Sequence, residues 1–153
     1  MKTSYTKIAS HLNKKLIFFM HTKTKEETLK LLINNTLEIK NLSNGDKFYN
    51  AIAEREKIVS TGIGMGVAIP HAKLASYHDF FVAIGILERG IDWHALDNTP
   101  VRLIFLIGGP DDRQTEYLQI LSALTTVLRD ENLRKDMLGA QNATEIIQLF
   151  EGL

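Results

Sequence analysis

Cysteine is absent from the 153 residues, which excludes a disulfide framework, a thiolate zinc site and a cysteine nucleophile together. Neither charge sign is in excess: eighteen Lys and Arg balance eighteen Asp and Glu. No global positive field therefore collects nucleic acid or anionic lipid, and any phosphate recognition must be local. Long apolar runs are missing too. The first, Leu16 to Met20, is far too short for a signal h-region or a membrane span, and Met1 to Asn13 is polar, which leads us to expect a cytoplasmic chain with no membrane insertion. Internal repeats, linkers and low-complexity segments are lacking as well. What remains is 44% apolar and 24% charged, in a length that buries one core, so a single domain over residues 1–153 is expected.

Met1 to Lys15 shows a weak helical pattern (Ile8, Ala9, Leu12), and Leu16 to Met20 reads as a first buried strand. Thr22 or Thr24 caps a helix with Leu29, Leu32, Ile33 and Leu37 at helical spacing and Glu26 and Glu27 in its first turn. After a turn at Asn41 to Gly45, Ser43 and Asp46 resemble a capping box for a second helix, which carries Phe48, Ala51 and Ile52 and ends near Arg55. Val67 to Ile69 is a short strand stopped by Pro70. Phe80 to Leu87 and Val101 to Ile107 read as central strands. Between them lies a hairpin or crossover closing over the sheet with Trp93. Beyond Gly108-Gly109-Pro110 the period becomes helical: Leu118, Leu121, Leu124, Thr125 and Leu128, with Asp111 and Asp112 before or within the first turn. A shorter helix stops at Gly139, and Asn142 or Thr144 opens a last one with Ile146, Ile147 and Phe150. The sum is an α/β chain, a mixed β-sheet flanked by helices.

Chemistry concentrates between Arg55 and His71. Gly62, Gly64 and Gly66 allow positive φ and leave backbone N–H groups free to turn inward around an anion. Their spacing fits neither a dinucleotide fingerprint nor a nucleotide P-loop. His71 follows Pro70 at a strand end. A neutral imidazole offers one nitrogen as nucleophile while the other is fixed by hydrogen bonding, the state a phosphoryl acceptor needs. Arg55 adds a permanent planar cation able to bind two equatorial oxygens of a transferring phosphoryl group. Taken singly, each has a plainer reading: a tight turn, a satisfied histidine, an exposed arginine paired with Glu54 or Glu56.

The run Arg55-Glu56, Ser60-Thr61-Gly62, Gly64, Gly66 and Ala68-Ile69-Pro70-His71-Ala72-Lys73 resembles the active-site signature of the phosphotransferase-system enzyme IIA domains of the fructose, mannitol and nitrogen-regulatory type. Gly90 to Ile107 is similar to the same family's middle segment. The resemblance implies the type-2 IIA fold and a phosphocarrier that takes a phosphoryl group from phospho-HPr on His71, at Nε2, and passes it to a IIB domain or a regulatory target, with no cofactor and no metal. It implies that Arg55 stabilises the transferring group and that Thr61, Gly62 and Gly64 bind phosphate. Ile63 and Met65 become candidate partner contacts.

The chain departs from that pattern at Tyr117, which stands where the mannitol and nitrogen types commonly carry a second histidine. A phenol can donate a hydrogen bond there but cannot become cationic at neutral pH. Mannitol-type members also place a carboxylate at the position of Met65. No IIB or transporter segment is present in this sequence, which favours a regulatory relay. A fructose-type role is kept beside it, as is a binding module with vestigial phosphorylation. A metal-dependent hydrolase built from His71, His78 and His94 finds no support in their spacing.

Overall fold

The computed structural model describes residues 8–153, so the earlier part of the expected N-terminal helical pattern, residues 1–7, lies outside them. Its later part forms two short 3-10 turns, Ile8–His11 and Lys14–Leu16. They lead into β1, Ile17–Met20. Helix α1, Lys25–Lys40, opens on Thr24, whose side chain accepts the Glu27 amide, and closes on Asn41 in the left-handed conformation. Of the two threonines open as caps, Thr24 is the one used. Thr22 instead meets the Thr28 hydroxyl at 2.6 Å.

Helix α2, Gly45–Ile58, differs from expectation at both ends. No capping box forms at Ser43. The cap position is Asn44 at φ 67°, without a side-chain cap bond, and its side chain donates to Ser76. The Ser43 carbonyl instead accepts the Tyr77 hydroxyl at 3.1 Å. At the far end the helix continues one turn past the expected stop, so Arg55 sits within the last turn and donates to the Val59 carbonyl at 2.8 Å. The guanidinium itself covers a carbonyl that the helix end leaves open.

Among the described residues six strands form one mixed sheet: β1, β2 (Gly62–Gly64), β3 (Val67–Ala68), β4 (His71–Lys73), β5 (Phe81–Ile91) and β6 (Val101–Gly109). The order is β1-β5-β6-β3-β2, with β4 also paired to β6. Strand β5 runs antiparallel to β6 and parallel to β1, while β3 and β4 both run parallel to β6. The chain along β6 thus breaks at Ile69-Pro70, where the ring removes a ladder donor, and resumes at His71. Pro70 still accepts from the Ile107 amide at 3.0 Å, which keeps the register across the gap. His71 opens a new strand rather than trailing an old one. Strand β5 also reaches further than Leu87, and its return to β6 through Trp93 is a hairpin.

Alternation from Leu103 to Ile107 on β6 divides the core. Ile104 and Leu106 face α1 and α2 along with Leu32, Phe48, Ile52 and Trp93. Leu103, Phe105 and Ile107 face the other side with Ile120, Leu124, Met137 and Phe150. Period-two side chains on a doubly covered strand leave no polar face, which is why the run is continuously apolar.

That second layer is α3 (Gln114–Val127), α4 (Glu131–Gly139, capped by Asp130) and α5 (Ala143–Glu151). Asn142, not Thr144, caps the last helix. On α3 the expected stripe is rotated: Tyr117, Ile120, Leu124 and Leu128 are buried, whereas Leu118 is 51% exposed. Asp111 and Asp112 precede the helix, whose N-cap is Arg113.

Candidate functional site

His71 begins β4 at the register of Ile107, near the carboxyl end of β6. Its Nδ1 lies 2.7 Å from the carbonyl oxygen of Ile69, two residues upstream. A carbonyl only accepts, so this bond requires the proton on Nδ1 and leaves the lone pair on Nε2, which has no hydrogen-bond partner among the described residues. Burial holds the imidazole below its ordinary value of 6.5; the Ile69 bond and Glu56 oppose the shift, and the cations Arg55 and Lys73 add to it. The half-buried ring is therefore neutral at neutral pH.

The ring that meets His71 is Tyr117, on the buried face of α3, with centroids 5.8 Å apart. Phe80 stacks on the same phenol ring with centroids 6.0 Å apart. Burial raises the phenol to about 12, and the Arg55 guanidinium opposes this. Tyr117 thus remains a neutral hydroxyl, and that hydroxyl has no hydrogen-bond partner among the described residues. Arg55 reaches the same place from the opposite layer, because α2 packs beside β4. Its field is felt at both rings.

Arg55, His71 and Tyr117 are brought together; the glycine loop is divided. Gly62 and Gly64 belong to β2, which folds back on β3 through a turn at Met65 and Gly66. Gly64 pairs with Val67, four residues before His71, so the turn lies roughly 13 Å along the strand from the imidazole. Gly64 (φ 95°) is required there, since a Cβ would come 3.0 Å from the Asp97 carboxylate. That carboxylate accepts the Met65 amide at 2.9 Å, an arrangement unsuited to a second anion at the tip. Gly62 is a packing glycine, where a Cβ would meet Ala95 at 2.8 Å. Met65 is exposed at the tip and Ile63 half-buried against the α3 side of the core.

Thr61 stays near the site but points inward. It is 3% exposed, donates its hydroxyl proton to Glu56 and accepts from Trp93 Nε1 at 3.3 Å. Its amide also goes to Glu56, at 3.2 Å, and its carbonyl takes the Ile69 amide at 3.0 Å. Lys25 completes this buried cluster with an ion pair to Glu56 at 2.6 Å. The plainer sequence reading pairs an exposed Arg55 with Glu54 or Glu56, whereas Glu56 is buried and pairs with Lys25. Lys73 closes the signature without a role of its own in the sequence reading: its ammonium lies 4.6 Å over the Tyr117 ring and donates to Gln114 Oε1. Its position two residues after His71 on a strand was the available signal.

A neutral imidazole with one nitrogen tied and the other unpaired, a cation whose field reaches it and an unused phenol make an arrangement chemically suited to an anionic electrophile. The fold and the comparisons agree on the family of the chain. Residues 10–152 match the family model described as Phosphoenolpyruvate-dependent sugar phosphotransferase system, EIIA 2, and the chain belongs to that family. It is 36% identical over 135 residues to the nitrogen regulatory protein of Escherichia coli (strain K12), covering 86% of this chain and 80% of that one. It is 35% identical over 131 residues to the fructose-specific EIIABC component of Bacillus subtilis (strain 168), covering 86% of this chain but only 21% of that longer relative. The crystal structure of the nitrogen regulatory protein IIA-Ntr from Neisseria meningitidis superposes with a TM-score of 0.87 at 26% identity, over 94% of this chain and 98% of that one. Among the described residues no helix is long and apolar enough to cross a membrane, and no cluster of His, Asp and Glu is suited to a metal.

Proposed function

We propose that this protein is a cytoplasmic phosphocarrier that accepts a phosphoryl group from phospho-HPr on His71 Nε2 and passes it on as a nitrogen-type regulatory relay. The observation that carries this is the 2.7 Å bond from Nδ1 to the Ile69 carbonyl, which presents Nε2 as the free nucleophile. As the Nε2–P bond forms, the donor's P–N bond breaks. The donor ring, protonated on its other nitrogen, departs as neutral imidazole with the electron pair. His71 keeps Nδ1–H and so carries the positive charge, which the Ile69 carbonyl stabilises. Arg55 offsets charge on the equatorial oxygens, and the Tyr117 hydroxyl donates to one of them. Thr61, Gly62 and Gly64 serve this site as positioning residues: Thr61 through Glu56 and Ile69, the glycines by letting β2 lie close against its neighbours.

Partners that hand over a group must dock weakly and leave quickly. Exposed Ile58, Val59 and Leu118 lie beside Arg55 and Tyr117 in sequence and supply apolar contact at the site. Met65 and Ile63 fit a separate contact at the hairpin. The likeness to a fructose-specific component supports a second reading, in which the acceptor is a IIB domain of a sugar transporter.

Incubation with phosphoenolpyruvate, enzyme I and HPr tests the relay. Intact mass should show one acid-labile phosphoryl group on wild type, none on His71→Ala, and slow labelling of Arg55→Ala. An unlabelled wild type under saturating phospho-HPr overturns the reading and leaves a binding module. Transfer onward to a IIB domain would move the assignment to sugar uptake.

A further inference from the structure

We infer that Lys73 is the second cation of this site and binds the phosphoryl group on His71 through its ammonium, an inference that rests on the phosphocarrier reading above. His71 and Lys73 are two residues apart on β4 and share one face, while Ala72 between them joins the α1–α2 side of the core. Both reach the same ring: Tyr117 meets the imidazole at 5.8 Å and carries the Lys73 ammonium at 4.6 Å over its face. Gln114 Oε1 accepts one ammonium N–H. Two of the three donors are left, with no other partner among the described residues.

Charge accounting points the same way. A phosphoryl group on nitrogen brings close to two negative charges at neutral pH, and Arg55 supplies one positive. Tyr117, the ring beside His71, supplies none, since burial keeps it protonated and neutral. Lys25 is committed to Glu56 in the buried cluster. Among the described residues, Lys73 is the cation besides Arg55 whose field reaches the imidazole. The aromatic face and the Gln114 oxygen hold the flexible lysine stem in one place, reducing the ordering cost when the anion arrives.

The test labels the full chain with phosphoramidate, a small donor that needs no protein docking surface. Its P–N bond breaks as the Nε2–P bond forms, and ammonia departs with the electron pair. Wild type should label and His71→Ala should not. Lys73→Gln should label about 10-fold more slowly, and the phosphorus-31 titration of its phosphoryl group should move to higher pH, because a neighbouring cation favours the dianion. Lys73→Arg, which keeps the charge, should stay close to wild type and preserves the comparison if glutamine weakens the fold. Equal rates and equal titrations for Lys73→Gln and wild type would overturn the role of Lys73 while leaving the phosphocarrier intact. So would a loss seen with phospho-HPr but absent with phosphoramidate, which assigns Lys73 to docking. A wild type that neither donor labels removes the underlying reading instead.

Discussion

Removing the Glu56 carboxylate should destabilise the fold more than any other single change near the site. Its side chain is only 7% exposed and faces the Lys25 ammonium at 2.6 Å. The same carboxylate accepts both the amide and the hydroxyl of Thr61. Glu56→Met strands both Thr61 donors and leaves the Lys25 ammonium only the Trp93 carbonyl at 3.5 Å and the Trp93 ring, and should cost about 3 kcal/mol. Lys25→Met should cost only about 1.5 kcal/mol, because the carboxylate keeps its two Thr61 donors and the Lys25 side chain is already 22% exposed. In the double variant the stranded charge is gone, leaving only the Thr61 groups unsatisfied, so the total should be about 2 kcal/mol rather than the sum of the singles. A coupling of about 2.5 kcal/mol follows. Urea unfolding is the assay. With a slope of about 2 kcal/mol per molar, Glu56→Met should lower the midpoint by about 1.5 M at unchanged slope. Additive losses in the double variant, or a Glu56→Met midpoint within about 0.3 M of wild type, would refute the claim that this cluster ties α2 to the sheet.

Three further outcomes are expected. Thr36 is fully buried and its hydroxyl has no hydrogen-bond partner among the described residues, so Thr36→Val should stabilise by about 1 kcal/mol, read as a higher urea midpoint. Burial holds the imidazoles of both His11 and His71 below 6.5, against the opposing pull of Glu116 on the former. The unfolded chain then binds more protons below that pH, so stability should be full above about pH 6.5 and fall as the pH drops toward the folded values. NMR titration should place the His71 midpoint under 6.5 and move it up in Arg55→Gln; a midpoint at or above 6.5 contradicts the geometry.

Local chemistry was the legible part. Thr24 with Glu27 and Asn142 with Glu145 act through hydrogen bonds three residues long, so a reader of the chain can narrow each of those helix starts to two candidate caps without knowing the fold. The apolar run of β6 and the proline before His71 are equally local signals. Failures came where two local patterns were equally good. On α3, Leu118, Ile120, Leu121 and Leu124 surround most of the helix, and only the position of the sheet selects the face with Tyr117 and Ile120. At Asn44, a left-handed residue replaces the expected serine cap because Ser43 and Asn44 are engaged by Tyr77 and Ser76, more than thirty residues away.

The candidate site divides along the same line. Residues Arg55 to His71 announced themselves through residue type and spacing, since a nucleophile, a cation and permissive glycines within seventeen positions form a recognisable set. The chain alone determined which of these groups were available and that His71 would stand beside a strand break. Tertiary structure decided which of them meet. Strand pairing turned Gly64 and Met65 away from the imidazole, burial converted Glu56 from a surface partner into a buried acceptor, and helix packing carried Tyr117 across the fold to join His71 and Lys73. Sequence spacing fixes distance only within one element. Contacts between elements depend on register and on which face is buried, and those are set by the whole core at once.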